Sequence, residues 1–218
     1  MTVEKVYLLR LSRCGDAGRE TGMATPAHNA TTRMPMGLPC GRRSPRGRQR
    51  WYVARVPEGR ERGICETLRR VVEPELLDDA FVMSREHWFS HEGSWSLDTV
   101  PMYRGYVFLA SRDAAGLGRA LSALTLPVEL VGAFGRSYLP IADEARDWFE
   151  QTMDEKHVLR NSVASIVDGR LLVSEGPLKG QEARVSRVDR HRRRCLVTVS
   201  DRDGGFAETM PIDVPVKR

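Results

Sequence analysis

The hydrophobic pattern of the chain changes character near residue 160, and this change limits the folds that the chain can adopt. Before it, strand-like alternation and helical spacing of apolar residues follow one another. After it, only short β-like runs remain, separated by turns that contain glycine and proline. We therefore expect an α+β protein with two units, one of mixed helices and strands and one of strands alone.

The first unit is predicted over residues 51–154, with the element order β-α-β-β-α-β-α. Runs rich in β-branched and aromatic residues predict its strands: WYVARV, DDAFVMS, YRGYVFLAS and VELVGAF. Apolar residues at helical spacing predict its helices, one with Ile64, Leu68 and Val72, one with Leu117, Leu121 and Leu124 after Asp113 at its start, and one in ADEARDWFEQTM. The polar segment REHWFSHEGSWSLDTVPM is expected to form an extended hairpin loop. This order fits an α/β sandwich with a mainly antiparallel sheet.

The second unit is predicted over residues 163–218, after a polar linker at 155–162. Its β-like runs are RLLVS, EARVSRV, CLVTVS and FAETMPI. Turns between them contain Gly176 with Pro177, then Gly180, and the triplet Asp203-Gly204-Gly205. Short strands at such close spacing predict a small β-barrel.

One stretch of the second unit, SEGPLKGQEARVSRVDRHRRRC, combines a tight turn with a basic cluster. Gly176 and Gly180 permit backbone angles that other residues resist, and Pro177 fixes a turn between them. Alternation predicts that the apolar side chains around it point inward: Ala183, Val185, Cys195, Val197 and Val199. The basic residues then fall at a hairpin tip, where they either contact phosphates or form a solvated surface.

Charge is distributed unevenly along the chain. Residues 1–50 contain ten Lys and Arg against three Asp and Glu, whereas residues 51–150 contain eleven against sixteen. The first 50 residues are rich in Gly, Pro, Ser, Thr and Arg and lack periodicity, so a disordered basic extension is expected there. A basic extension beside an acidic unit favours contacts with polyanions.

No catalytic or metal-binding motif is found in the sequence. The four cysteines form no CxxC pair, and His87 and His91 have no third ligand at a suitable spacing. We therefore expect neither an enzyme nor a bound cofactor. Scattered cysteines and the absence of a long apolar run near the start favour a cytoplasmic protein that does not contact membranes.

Two motifs give the chain a resemblance to a known family. The segment SEGPLKGQEARVSRVDRHRRRCLVTV resembles a KOW motif, whose turn contains Gly176, Pro177, Lys179 and Gly180. WYVARV followed by MYRGYVFLAS resembles two strands of the NusG N-terminal domain. Over residues 51–218 the order is similar to that of NusG, which implies an SH3-like KOW barrel after the linker. GPLKGQEARVSRVDRHRRRC and GSW are similar to the LoaP antiterminators, a specialised group within that family.

The resemblance implies a transcription elongation or antitermination factor. Members of the family bind the clamp helices of the largest subunit of RNA polymerase and suppress pausing or termination. LoaP-like members act on selected operons and are recruited by an RNA hairpin in the nascent leader transcript. The KOW domain is expected to contact RNA, a ribosomal protein or Rho, and the protein is expected to be a monomer. The family's Phe-Pro before Gly-Tyr is Tyr103-Arg104 here.

Candidate site residues follow from these patterns. Aromatic residues on neighbouring strands either form a pocket for a partner helix of the polymerase or belong to the core: Tyr52, Tyr103, Tyr106 and Phe108. Basic residues are candidates for RNA binding: Arg85, Arg104, His191, Arg192, Arg193 and Arg194. The aromatic residues Trp88, Phe89 and Trp95 either stack on unpaired bases or fold back on their own sheet.

Two alternative functions remain open at this point. The first is a general housekeeping NusG, which binds RNA without selectivity. The second is a ribosome-associated KOW protein that does not bind polymerase. Selective binding of a structured leader RNA separates the first alternative from a specialised factor, and retention by polymerase clamp fragments excludes the second.

Overall fold

The computed structural model describes residues 48–134, 137–200 and 206–217. Its mixed helices and mostly antiparallel strands agree with the predicted α+β class. The predicted extension lies outside the described residues up to residue 47, as does the Asp203-Gly204-Gly205 turn. The elements of the N-terminal part are, in chain order, β1 (Arg50–Arg55), α1 (Glu61–Val71), β2 (Asp79–Phe81), β3 (Ser84–His91), β4 (Ser94–Pro101), β5 (Tyr106–Ser111), α2 (Ala114–Ser122), β6 (Glu129–Leu130), β7 (Ala133–Phe134), β8 (Ser137–Tyr138) and α3 (Asp143–Thr152).

The C-terminal part consists almost entirely of strands. They are β9 (Val158–Leu159), β10 (Ser162–Val167), β11 (Arg170–Glu175), β12 (Val185–Asp189), β13 (Arg194–Ser200) and β14 (Phe206–Lys217), with a 3-10 turn at Glu182–Arg184. Strands β10 to β14 form one sheet in the order β11-β10-β14-β13-β12. All neighbours in this sheet are antiparallel except β10 and β14. We call it the C-terminal sheet.

The central sheet of the N-terminal part has the order β2-β5-β1-β6 and is antiparallel throughout. One face packs on α1 and α2 through a cluster that includes Leu68, Leu109 and Leu117, none of which is exposed to solvent. The other face packs on α3 through Phe108 and Phe149. Complete burial of such side chains stabilises the fold by about 1.5–3 kcal/mol each.

The three helices form where apolar spacing predicts them. Asp113 caps α2, because its carboxylate accepts a hydrogen bond of 2.9 Å from the Gly116 amide. The run VELVGAF, predicted as one strand, is instead divided at Gly132, which has a φ of +81°. A left-handed residue cannot continue a pleated strand, so β6 and β7 are separate.

The polar segment predicted as an extended hairpin loop is a regular two-stranded hairpin. Strands β3 and β4 pair without interruption from Ser84 opposite Pro101 to His91 opposite Ser94. The turn residues Glu92 and Gly93 have φ of +49° and +79°. Positive φ at both positions is typical of the type I′ turn, whose twist matches that of paired strands.

Most inward positions of the C-terminal sheet follow the predicted alternation. Cys195, Val197 and Val199 are buried, and Val185 packs against the same cluster. Ala183 is exposed, contrary to the prediction, because it lies in the 3-10 turn and not in a strand. Strand β10 was not recognised in the sequence, because its segment SVASIV contains small polar residues and carries little hydrophobic signal.

The segment predicted as a linker, residues 155–162, is packed against the N-terminal part. Its strand β9 pairs in parallel with β3, and Leu159 is fully buried. The His157 ring stacks on Phe81 with 3.7 Å between ring centroids. A single hydrophobic cluster extends from Trp51 in β1 to Val214 in β14, so the core is continuous across both parts.

None of the helices in the described ranges combines the length and the apolar character needed to span a bilayer.

Candidate nucleic-acid interface

The Gly-Pro turn of the C-terminal part is held by close backbone packing. Gly176 has a φ of +95°, and a Cβ atom at this position would lie 2.6 Å from the Asn161 carbonyl oxygen. The next residues continue the turn, since the Lys179 amide donates to the Gly176 carbonyl at 3.2 Å. Leu178 is fully buried, and its amide donates to the Ser162 hydroxyl. The turn therefore attaches the start of β10 to the segment that leads into β12.

A second turn, residues 190–193, connects β12 to β13 and carries the basic cluster; we call it the basic turn. His191 is exposed, and the Arg192 side chain is 70% exposed. The Arg192 amide donates to Asp189 at 3.1 Å, and the Arg194 guanidinium lies 3.6 Å from the same carboxylate. The amide of Arg192 and the neighbouring cationic groups hold the pKa of Asp189 below its usual range. Asp189 thus fixes the shape of the turn while most of the positive charge faces solvent.

The basic turn lies against the β3–β4 hairpin. The guanidinium carbon of Arg193 is 4.4 Å from the Trp88 ring centroid and 5.0 Å from that of Trp95. Its charge is paired with Asp213 at 3.4 Å. Cation–π contacts of this kind contribute about 0.5–2 kcal/mol. Aromatic and basic candidates that lie about 100 residues apart in the sequence therefore meet on one surface.

Trp88 is further fixed by its indole nitrogen, which donates to the Asn161 side chain at 3.0 Å. Trp95 packs edge to face on Trp88, with ring centroids 6.5 Å apart. Trp95 and Phe89 stay 37% and 42% exposed. The sequence left two interpretations open for these aromatic residues, stacking on bases or packing on their own sheet. Trp88 packs on its own fold, whereas Trp95 and Phe89 keep exposed surface that a ligand can contact.

The other face of the hairpin contains Arg85, which is engaged within the protein. Its Nη1 donates to the Thr209 carbonyl of β14 at 2.7 Å, while its Nε is buried and has no partner among the described residues. His87 lies on the same face, with its ring 4.7 Å from that of Phe89. Burial, followed by the nearby Arg85 and Arg194, lowers the pKa of His87. In this conformation Arg85 joins the hairpin to the C-terminal sheet.

Arg104 lies in the turn between β4 and β5. The carboxylate of Glu61 in α1 accepts a hydrogen bond of 2.8 Å from the Gly105 amide and so fixes this turn. Arg104 is exposed there. The structure thus brings Arg85, Arg193 and Arg194 close to the hairpin, leaves His191 and Arg192 open to solvent, and places Arg104 in a different turn.

The aromatic residues predicted to contact a polymerase helix divide between the two faces of the central sheet. Tyr103 and Phe108 pack together with ring centroids 5.7 Å apart, and both are 1% exposed. Tyr106 lies at the edge of this cluster and is partly exposed. Tyr52 lies on the opposite face, buried beneath α1 and α2. Tyr106 is therefore the member of the set that a partner can reach without a change in the fold.

Tyr103 has an unusual environment. Its hydroxyl is buried without a hydrogen-bond partner among the described residues. Burial, followed by the nearby carboxylate of Glu208 in β14, raises the pKa of Tyr103 well above its usual value. The phenol thus stays neutral at the junction between the central sheet and the C-terminal sheet.

Acid–base and metal chemistry find little support in the part of the chain that the structure describes. No group of three or more His, Cys, Asp or Glu residues there is placed to hold a metal ion. Cys65 and Cys195 are buried, and burial raises the pKa of both thiols to about 12. Neither is a nucleophile at neutral pH, since the thiolate is the reactive form.

Sequence reasoning missed one basic residue beside the basic turn, Arg187, and did not name Arg190 of the turn itself as an RNA-binding candidate. Arg187 and Arg190 line an open groove together with His191, Asp213 and Pro215. Strict alternation after Val185 would have placed Arg187 on the buried side, but a bulge between Val185 and Arg187 shifts the register, so alternation alone could not have found it. Asn161 and Asp213 were not foreseeable, because their roles depend on tertiary contacts with Trp88 and Arg193.

The comparisons with known proteins add little to this description. No protein-family model matches the chain, and no curated protein matches it. A solved structure described as "Domain interaction in Thermotoga maritima NusG" aligns with 75% of this chain and 94% of that chain, at 13% identity and a TM-score of 0.41. A likeness at this level carries no argument about function, so the family resemblance in the sequence stays a prediction.

Proposed function

We propose that this protein is a non-catalytic transcription elongation factor of the NusG type, which binds RNA polymerase and suppresses pausing or termination on selected operons. The observation that carries the RNA part of this proposal is the contact between the basic turn and the tryptophan pair of the hairpin. Groups that contact phosphates and groups that stack on bases adjoin there, as in proteins that bind unpaired RNA. The KOW-like and NusG-like motifs supply the transcriptional context.

In this proposal the RNA backbone crosses the basic turn. Arg190, His191 and Arg192 are exposed, so their side chains can donate hydrogen bonds to phosphates. Trp95 lies next to them through Arg193 and is 37% exposed, so part of its ring can contact a base. A stacked base contributes about 1–3 kcal/mol, whereas each neutralised phosphate contributes mainly a salt-dependent gain in affinity. Selectivity for a leader hairpin then arises from its unpaired loop.

Polymerase binding is assigned to the aromatic side of the central sheet. Tyr106 at its edge is the first contact for an apolar partner helix, and Tyr103 and Phe108 lie behind it. Tyr103 borders Glu208 of β14, so a deeper contact requires the C-terminal sheet to separate from the hairpin. A factor that binds the elongating polymerase more tightly than the paused one shifts the balance toward elongation by that difference in affinity.

RNA binding is tested by gel shift with the full chain, a structured leader RNA and a scrambled RNA of equal length. We expect Arg192→Gln to weaken binding by roughly fivefold to tenfold and to reduce the slope of log affinity against log salt by about 1. Arg170→Gln is the matched control, because Arg170 is exposed at the start of β11, outside the basic turn. Equal affinity for both RNAs would favour the housekeeping alternative.

Polymerase binding is tested with the clamp-helix fragment of the largest subunit and with transcription through a terminator. Tyr106→Ala is expected to reduce retention on the fragment and read-through together, with the fold intact by circular dichroism. Retention on ribosomes but not on the clamp fragment would favour the ribosome-associated alternative. Loss of RNA selectivity with polymerase binding intact would leave a general elongation factor.

A further inference from the structure

Strand β4 is an edge of the small sheet β4-β3-β9, and no strand of the described residues pairs with its outer side. It is eight residues long, and Ser94 to Thr99 are all exposed. It contains no Lys or Arg, and its pairing with β3 has no bulge. A long, flat and unprotected edge is a template for another strand.

The edges of the central sheet and of the C-terminal sheet are protected. Strands β2 and β6 of the central sheet are only three and two residues long. In the C-terminal sheet, β11 has an extra residue opposite Val163–Ala164, and β12 has an extra residue between Val185 and Arg187. Such bulges twist an edge away from partners. The β4 edge therefore differs from its counterparts in length and in regularity.

The hydrogen-bonding groups of β4 that point outward form a symmetric set. In a hairpin with a two-residue turn, the closing pair His91 and Ser94 is hydrogen-bonded, and pairs alternate from there. Trp95, Leu97 and Thr99 consequently direct their backbone N–H and C=O away from β3. This set is centred on Leu97, and it ends at Pro101, which has no N–H to donate.

We propose that β4 pairs antiparallel with β4 of a second copy of this chain, with Leu97 on the two-fold axis. This register places Trp95 of each copy opposite Thr99 of the other, so all three outward-facing residues form paired hydrogen bonds. It also keeps their side chains on one face of a continuous sheet, because the period of a strand is two. This dimer goes beyond the proposed function, and it differs from the monomer expected from the sequence.

Side chains in this register are complementary. Trp88 is paired with Leu97 within the hairpin, so an apolar row runs across the axis from Trp88 through both Leu97 residues to Trp88 of the second copy. Leu97 is 36% exposed in the single chain and would be covered. Trp95 of the second copy lies beside Thr99, which lines a groove with Arg62, Glu66 and Arg160.

Charges also match across the axis. Asp98 falls opposite Ser96 of the second copy, and the two Asp98 carboxylates do not face each other. The exposed turn residue Glu92 falls beside the Pro101–Met102 end of the other β4, two residues from the exposed Arg104. An isologous pairing needs this kind of self-complementarity, which favours a second copy over an unrelated strand.

The proposal is tested by sedimentation velocity of the full chain over a wide range of concentrations. We expect a concentration-dependent dimer. Leu97→Lys places two positive charges at the axis and is expected to weaken the dimer at least tenfold, whereas Ser96→Lys, on the opposite face of the same strand and facing Asp98 of the second copy, is expected to retain it. A strictly monomeric wild-type chain overturns the proposal, as does a dimer that Leu97→Lys leaves unchanged.

The register is tested separately by cross-linking. Hydrogen-bonded antiparallel residues have Cα atoms about 5.5 Å apart, which a disulfide can bridge. In a background with Cys14→Ser and Cys40→Ser, Leu97→Cys should form a covalent dimer under mild oxidation, and Ser96→Cys should not. The remaining thiols, Cys65 and Cys195, are buried. Equal cross-linking of both variants, or of neither, overturns the proposed register.

Discussion

Single residues at the junction between the N-terminal and C-terminal parts have opposite effects on the stability of the fold. Gly176 permits a close approach to Asn161 that a side chain would prevent. The Tyr103 hydroxyl, by contrast, is buried without a partner among the described residues. The sequence predicts the turn at the first of these residues, because Gly-Pro turns have a known preference, but not its contact with Asn161. It cannot predict the second, because burial of Tyr103 depends on where β14 lies.

Replacing Gly176 by alanine should destabilise the fold strongly. The added Cβ would meet the Asn161 carbonyl at 2.6 Å and Ser162 Cα at 2.7 Å, and backbone atoms cannot retreat easily. We expect a loss of about 2–4 kcal/mol in the free energy of unfolding, measured in urea. Gly180→Ala is the control, since Gly180 has φ of +78° but open space around it; it should lose only about 1–2 kcal/mol. Equal losses would show that close packing at Gly176 is unimportant.

Removing the Tyr103 hydroxyl should stabilise the protein. An unsatisfied buried polar group costs about 1–3 kcal/mol, so Tyr103→Phe is expected to raise the free energy of unfolding by about 1 kcal/mol. Ser111→Ala is the contrasting variant, because the buried Ser111 hydroxyl donates to the Leu76 carbonyl at 2.6 Å. That variant should lose a similar amount. A destabilised Tyr103→Phe would mean that the hydroxyl has a partner in solution.

At the scale of elements, the sequence predicts those that carry their own pattern. The helices α1, α2 and α3 follow from apolar residues at helical spacing, because each buries one face on the central sheet. Strands β9 and β10 escape such reasoning. Their segments are short or polar, and their pairing with β3 and β14 is decided by distant parts of the chain. The hairpin strands β3 and β4 escape it because their segments are rich in polar residues, although they pair with each other across a two-residue turn.

Asp79 of β2 contacts Arg69 of α1 and His157, which directly precedes β9. Its contribution to the free energy of unfolding should depend on pH. Burial tends to raise the pKa of Asp79, but hydrogen bonds from Arg69 at 2.8 Å and His157 at 3.2 Å outweigh it and lower the pKa. A lowered pKa means that the contribution is present above the unfolded pKa and is lost as the pH falls through the folded one.

Asp79→Asn is therefore expected to lower the free energy of unfolding by up to about 1 kcal/mol at pH 7, because its partners are partly exposed. The difference from the wild type should shrink as the pH falls below the usual range of a carboxyl group. Urea unfolding at several pH values measures it. Asp98→Asn, on the exposed edge, should change stability by less than about 0.5 kcal/mol at any pH. A constant difference for Asp79→Asn would contradict the assignment.

At the scale of the whole molecule, the segment near residue 160 that was predicted as a linker is packed against its neighbours. It pairs with β3, and the hydrophobic cluster continues through it into the C-terminal sheet. Hydrogen bonds from Trp148 to Gln181 and from Ser200 to Glu144, both 2.8 Å, join α3 to the C-terminal part. The sequence indicates two patterns, whereas tertiary packing decides how firmly they are joined.

A continuous core should unfold in one cooperative step. We expect a single calorimetric transition whose calorimetric and van't Hoff enthalpies agree. Val197→Ala removes a fully buried side chain from β13 and should lower the free energy of unfolding by about 1–3 kcal/mol for both parts together. Leu172→Ala, at a side chain that is 52% exposed, should have little effect. Two separate transitions would show that the parts unfold independently.

The position of Arg193 over two indole rings has a spectroscopic consequence. Trp88 and Trp95 are two of the four tryptophans of the chain, and both report on the seam between the hairpin and the C-terminal sheet. Withdrawal of the guanidinium would change their emission without any added dye. The protein thus contains its own fluorescent probe, with which separation of the hairpin from the C-terminal sheet can be timed.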